Sequence, residues 1–140
     1  MADGIKIEIV SPEQLVLSET VKSVTVPGTE GYFTVMGDHA PTMTTLKPGF
    51  VTVDGDGGER WYYVRGGFAE VSSGTLTVLA EQAKTGNDFE RSEIEAEITK
   101  AQEALSAAQS LEDKDAAQYL LDGWSNLMME AQHFDIGAAH

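Results

Sequence analysis

Val26-Pro27-Gly28-Thr29-Glu30-Gly31-Tyr32-Phe33-Thr34-Val35-Met36-Gly37-Asp38-His39-Ala40-Pro41, running on to Leu46-Lys47-Pro48-Gly49-Phe50-Val51-Thr52-Val53, decides the fold of this chain. Four glycines and three prolines punctuate short β-branched and aromatic runs. Proline fixes φ and glycine permits φ > 0, so Pro-Gly and Gly-Asp mark turns between brief strands. The reading places His39, the only histidine outside the C-terminal tail, on a rigid buried corner.

The pattern extends on both sides. Ile5, Ile7 and Ile9 alternate with Lys6 and Glu8, the period of a half-buried strand. Ser11-Pro12-Glu13 ends that run, because proline donates nothing to a ladder. Val21–Val26, Phe33–Met36, Phe50–Val53, Trp61–Val64, Phe68–Val71 and Thr75–Leu79 repeat the theme. Many short strands with turn residues between them predict a sandwich or barrel. Asp54-Gly55-Asp56-Gly57-Gly58 reads as a hairpin connection. A calcium loop would need Gly at the sixth position and Glu at the twelfth, where Glu59 and Arg65 stand.

At Lys84-Thr85-Gly86-Asn87-Asp88 the texture changes to Ala, Glu, Gln and Leu, which are helix formers. Asn87 or Asp88 is the expected first cap, with Ser92-x-x-Glu95 as a second candidate. Ile94, Ile98, Ala101, Leu105 and Ala108 make one apolar stripe. Ser110-Leu111-Glu112-Asp113 interrupts it. A second helix is expected to gather Ala116, Ala117, Leu120, Leu121, Trp124, Leu127, Met128 and Ala131 on one face. Two helices and a short turn predict an antiparallel hairpin. The fold class is therefore α+β, with a β unit over residues 1–84 and a helical hairpin with a short tail over 85–140.

Composition narrows the partners. The net charge of −14 opposes nucleic acid, where Lys and Arg neutralise phosphate, and opposes an anionic membrane surface. A neutral or basic protein is the expected partner. The absence of cysteine excludes disulfides, thiolate chemistry and Cys-based zinc sites. Met1-Ala2-Asp3-Gly4 carries no signal-peptide pattern, and no apolar run reaches the roughly 20 residues of a membrane span. No phosphate-loop, dinucleotide or nucleophile-elbow motif occurs. His39 beside Asp38 has no nucleophile in its pattern, so neither a catalytic residue nor a metal or cofactor site is assigned. Met128-Met129 with Trp124 and Phe134 reads as hairpin core before it reads as an adaptable docking surface.

Taken together, Val26-Pro27-Gly28-x-x-Gly31-x-Phe33, Gly37-Asp38-His39-Ala40-Pro41, Leu46-Lys47-Pro48-Gly49, Gly66-Gly67-Phe68-x-Glu70-Val71 and Thr77-Val78-Leu79-Ala80-Glu81 resemble the epsilon-subunit family of F-type ATP synthases, whose mitochondrial counterpart is the delta subunit. The resemblance covers nearly the whole chain in order. It implies a sandwich of about ten short strands followed by two C-terminal helices. It also implies a non-catalytic rotor subunit on the cytoplasmic face of the bacterial inner membrane, peripheral and part of the F1 sector, without inserting into the bilayer. The implied partners are the gamma subunit and the c-ring, and transiently the alpha/beta catalytic head. By the same resemblance Gly28, Thr29, Glu30, Gly31 and Tyr32 would meet the c-ring, and His39, Ala40 and Pro41 the gamma subunit.

The chain departs from the family in two places. The usual Phe-Gly-Val-Leu-Pro-Gly-His-Ala-Pro becomes Phe33-Thr34-Val35-Met36-Gly37-Asp38-His39-Ala40-Pro41. The nucleotide motif Ile/Leu-Asp-x-x-Arg-Ala of some members becomes Asn87-Asp88-Phe89-Glu90-Arg91-Ser92, keeping Asp88 and Arg91 alone, and no arginine follows. From Thr85 onward Arg91, Lys100 and Lys114 face twelve Asp and Glu residues, three against twelve. The family's inhibitory hairpin uses basic residues, so this one is expected to inhibit ATP hydrolysis weakly and to bind ATP weakly or not at all. The alternative is a freestanding β-sandwich nucleotide-binding protein with its site at Asp88 and Arg91.

Overall fold

The structure, a computed structural model, describes residues 4–137. It divides into two compact units, one up to Gly86 and one from Asn87 onward. The first holds ten strands: β1 Ile5–Val10, β2 Leu15–Val21, β3 Ser23–Gly28, β4 Gly31–Met36, β5 Thr42–Thr45, β6 Gly49–Gly55, β7 Gly58–Arg65, β8 Phe68–Ser72, β9 Thr75–Leu79 and β10 Gln82–Thr85. They form two five-stranded sheets in the orders β2-β1-β9-β8-β5 and β10-β7-β6-β3-β4. β1 and β9 run parallel and the other pairings are antiparallel.

Alternation builds the core. In the first sheet Ile5, Ile7, Ile9, Leu76, Val78, Ala69 and Val71 point inward; in the second, Val24, Val26, Val35, Val51, Val53, Tyr62 and Val64 do. Glu19 and Arg60 end two of these inward rows. Glu19 pairs across β2–β1 with Ile7, and Arg60 pairs across β7–β6 with Val53. Arg60 Nη1 donates to Glu19 Oε1 at 2.7 Å, joining the two sheets along one side of the sandwich. Asp56-Gly57 forms the expected hairpin turn between paired Gly55 and Gly58. Gly58, at φ 93°, supplies the left-handed residue.

Three strands fall outside the expected runs. β2 pairs with β1 through a register shift at Ile9/Val10, so its apolar residues do not keep a period of two. β5 and β10 are four-residue edge strands without an aliphatic run. The expected single strand Val21–Val26 is two strands, because the chain leaves the first sheet at Lys22, where Lys22 N–H donates to Asp54 O at 2.8 Å. No Gly or Pro marks that corner.

In the second unit a 3-10 turn at Gly86–Asp88 precedes α1 (Arg91–Ala107) and α2 (Leu111–His133). The expected caps are corrected. Glu90 occupies the N-cap of α1 without a side-chain bond, so neither Asn87, Asp88 nor Ser92 caps it. Ser110, read as an interruption, is the cap of α2 and accepts from Asp113 N–H at 3.0 Å. The α1 stripe is as expected, with Ile94 and Ala101 buried and Ile98, Leu105 and Ala108 half-buried. On α2, Ala117, Trp124, Leu127, Met128 and Ala131 are buried, but Ala116 and Leu120 are exposed. A full 3.6-residue period carries those two past the edge of the buried stripe. Met128 is core, whereas Met129 and Phe134 are exposed.

Two outcomes follow from these contacts. The Arg60 hydrogen bond holds the Glu19 carboxyl below its ordinary range. Its stabilisation is complete above the ordinary glutamate pKa of about 4.3 and is lost as pH falls through the lowered folded value. The two side chains are 38% and 37% exposed, so solvent limits the pair to below about 1 kcal/mol. Glu19→Gln is expected to lower the urea midpoint at pH 7 and to match the wild type in strongly acidic buffer. Gly123 sits in the interior of α2 with open space where a Cβ would go. Gly123→Ala should stabilise the hairpin by about 0.5–1 kcal/mol, read as slower amide exchange in α2.

Candidate functional site

Gly28 and Gly31 close a two-residue turn at Thr29-Glu30, and both turn side chains are exposed. The tip is tied down from its base. Pro27 faces Tyr32 and has no N–H for the β4 ladder; its carbonyl instead accepts from Lys47 N–H at 3.0 Å. Thr29 N–H donates to Thr45 O at 3.1 Å, and Gly28 bridges to Leu46. Tyr32 Oη accepts from Phe50 N–H at 3.2 Å, and Lys47 Nζ lies 5.3 Å from the centre of the Tyr32 ring. The loop therefore projects an acid and a hydroxyl from a braced base.

His39 closes a turn, its N–H donating to Met36 O at 3.0 Å. The corner is not buried as expected: His39 is half-buried, and Asp38, Ala40 and Pro41 are exposed. A turn at the margin of two five-stranded sheets has protein on one side only. His39 Nδ1 lies 2.8 Å from Ala40 O, and since a carbonyl only accepts, that nitrogen carries the proton. The ring lies 6.3 Å from that of Phe33. Gly28, Glu30, Gly31, Phe33, His39, Thr42, Met43 and Thr44 line one shallow depression of about 400 Å3. The two candidate contact segments, Gly28–Tyr32 and His39–Pro41, thus border a single concave edge.

A second surface was not found from the sequence. Thr45 pairs with Phe68, Phe68 with Leu79, Leu79 with Val10 and Val10 with Leu15. Paired residues share a face. Since Ala69, Val78 and Ile9 point inward, this row points outward and crosses all five strands of the first sheet. Leu15 is 57% exposed, and Phe68 and Leu79 are 39% exposed. Its members are single residues at strand ends, so only the register brings them together.

Asp88 and Arg91 separate in role. Asp88 ends the 3-10 turn, while Arg91 opens α1 and reaches the end of α2. Arg91 Nε donates to Ile136 O at 2.9 Å and Nη2 to Ala131 O at 3.2 Å, with Asp135 Oδ1 at 3.7 Å. That end is a Schellman motif: Ile136 N–H donates to Ala131 O at 2.8 Å and Asp135 N–H to Gln132 O at 3.2 Å, with Asp135 at φ 56°. A cation at a helix C-terminus meets the negative end of its dipole. Among the described residues no group of three His, Cys, Asp or Glu is placed to hold a metal ion, and no helix is long and apolar enough to cross a membrane.

Arg91→Ala removes charged donors from partly buried carbonyls and should cost the hairpin about 1–3 kcal/mol, with partial recovery in Arg91→Lys. Amide exchange at Ile136 and through the last turns of α2 measures it, since those amides open first when the clasp is lost.

Residues 4–86 match the family described as ATP synthase, delta/epsilon chain, beta-sandwich domain. The protein named ATP synthase epsilon chain from Mesorhizobium japonicum is 44% identical over 128 residues, covering 91% of this chain and 95% of that one. The one from Maricaulis maris is 38% identical over 133 residues, covering 95% and 100%. Among solved structures, a chain of the Euglena gracilis mitochondrial ATP synthase superposes with a TM-score of 0.74 at 22% identity, over 92% of this chain and 81% of that one. A chain of the Tetrahymena thermophila mitochondrial ATP synthase central stalk and c-ring gives 0.62 at 17%, over 92% and 96%. The ten-stranded sandwich, the braced Val26–Pro41 edge and these likenesses agree: the chain belongs to the ATP synthase delta/epsilon family.

Proposed function

We propose that this chain is the non-catalytic rotor subunit in the central stalk of a proton-translocating F-type ATP synthase, acting with the F1 sector on the cytoplasmic face of a bacterial inner membrane. Its sandwich takes up the rotation of the c-ring and passes it to the gamma subunit and so to the alpha/beta head. The observation that carries this reading is the outward row Leu15–Val10–Leu79–Phe68–Thr45 beside a braced polar tip. An apolar strip of this length, flanked on the same outer face by Glu8 and Glu70 two residues along β1 and β8, has the layout of a protein interface.

The tip and the row suit different partners. Gly28–Tyr32 presents exposed Thr29 and Glu30 to polar loops of the c-ring. His39, Ala40 and Pro41, continued by Met43 and the apolar row, form the gamma surface. A loop braced by three backbone hydrogen bonds or bridges deforms little, which suits the transfer of torque. The hairpin is the poorer regulator: its charge repels an acidic target, and Arg91 is spent on the carbonyls of α2 rather than on a phosphate chain. That commitment also weighs against the freestanding nucleotide-binding alternative.

Phe68→Asp places a charge in the middle of the row while leaving the inward positions intact. It should keep the circular dichroism of the wild type and weaken binding to F1 lacking this subunit at least tenfold, about 1.4 kcal/mol. Glu30→Ala should bind F1 within about fivefold of the wild type, since only one exposed charge is lost, and reduce coupled ATP synthesis in membranes. Unchanged binding of Phe68→Asp together with unchanged coupling in Glu30→Ala would overturn the assignment.

A further inference from the structure

We infer that the outer edge of β4 receives an extended segment of a neighbouring stalk subunit, which adds to the second sheet as a strand and carries basic residues at both of its ends. The inference rests on the stalk reading and specifies how one contact is made. Edge strands are open templates for pairing, and proteins ordinarily blunt them with charge, proline, bulges or brevity. The four edges of this sandwich differ in that respect. β2 holds Glu19 and meets β1 through a register shift, β10 holds Lys84, and β5 is four residues long. β4, Gly31-Tyr32-Phe33-Thr34-Val35-Met36, is six residues long with no charge, no proline and no register shift against β3.

The ladder fixes which groups face outward. Pro27 opposite Tyr32 has no N–H and gives its carbonyl to Lys47, so that pair is not hydrogen-bonded. Pairs alternate along an antiparallel ladder, which makes Thr25–Thr34 another such pair. The N–H and C=O of Thr34 therefore point away from β3, toward the outside of the sheet. Its hydroxyl meets that of Thr25 at 2.9 Å on the sheet face and does not use them.

Charge selects the occupant. Glu30 and Asp38 are exposed and stand four residues before and after Thr34. A second copy paired antiparallel about Thr34 would bring Glu30 of each chain toward Asp38 of the other. A parallel copy would bring like residue against like. Both arrangements set acid against acid, which opposes self-association. A foreign strand with Lys or Arg about eight residues apart meets both acids with opposite charge. The same edge borders the depression holding Glu30, Phe33 and His39, so the added strand continues the contact edge.

Hydrogen exchange on the full chain, alone and within the assembled ATP synthase, tests this directly. The Thr34 amide should exchange at least tenfold more slowly in the assembly, and its rate in the isolated chain should not depend on protein concentration. Thr34→Pro removes the outward N–H and leaves the β3 ladder intact, as proline is tolerated facing out from an edge. It should bind F1 lacking this subunit at least tenfold more weakly, whereas Thr34→Val, which keeps the N–H, should bind as the wild type does. Equal exchange of the Thr34 amide in both states overturns the inference even if Thr34→Pro fails to fold. Concentration-dependent protection in the isolated chain assigns the edge to a second copy and also overturns it. Failure of the wild-type chain to assemble at all would instead overturn the stalk reading.

Discussion

The sandwich depends on the backbone corner at Gly66-Gly67. There the chain leaves β7 in the second sheet and enters β8 in the first. Gly67, at φ 100°, passes so close to β9 that a Cβ would stand 1.9 Å from Leu79 O, and its own carbonyl accepts from Leu46 N–H at 2.9 Å. Only a residue without a side chain allows that approach. The corner thus gathers three segments of the fold at one point. It also sets the register of Phe68 against Leu79 and Thr45, from which the outward apolar row is built. The constraint that closes the two layers is the same one that aligns the outward apolar row.

The two flanks of the sandwich are finished differently. On the β2 side the inward rows end on Glu19 and Arg60, whose charges satisfy each other between the sheets. On the β4–β5 side they end on Val35 and Phe33 in one sheet and Thr42 and Thr44 in the other, beside the shallow depression. The asymmetry leaves the braced tip, the His39 turn and the uncharged edge strand together on the β4–β5 flank.

How much of this was legible follows from which residues mark a corner. The chain changes sheets five times, and four of the changes fall at Gly37–Pro41, Leu46–Pro48, Gly66-Gly67 and Ala80-Glu81, inside or beside the segments that carry the family resemblance. Gly and Pro announce three of them because their φ preferences are written in the side chain. The fifth, at Lys22, carries no such residue, and Val21–Val26 therefore reads as one strand. β5 and β10 escaped because edge strands of four residues need no apolar alternation. The depression was half-legible: its segments were named separately, but their meeting depends on the cross-sheet path. The apolar row was not legible, since it consists of one residue per strand.

Arg91 shows a different limit. Its sequence neighbourhood suggests a phosphate ligand, yet its partners lie 40 and 45 positions away, on carbonyls released by the end of α2. Ala131 O also takes the Schellman bond from Ile136 N–H, and the guanidinium adds further donors and charge together at this helix end. In this chain one side chain ties the start of the hairpin to its end. The Schellman turn places a non-glycine residue, Asp135, in the left-handed region. The Asp135 carboxylate lies within ion-pair distance of Arg91, which offsets part of that backbone cost. A hairpin closed by its own arginine needs no bound nucleotide to hold it shut. Opening would have to break the Arg91 bonds first and would bare the apolar stripe that includes Ile94, Ala101, Trp124 and Leu127. Both the clasp and the buried stripe therefore favour the closed hairpin.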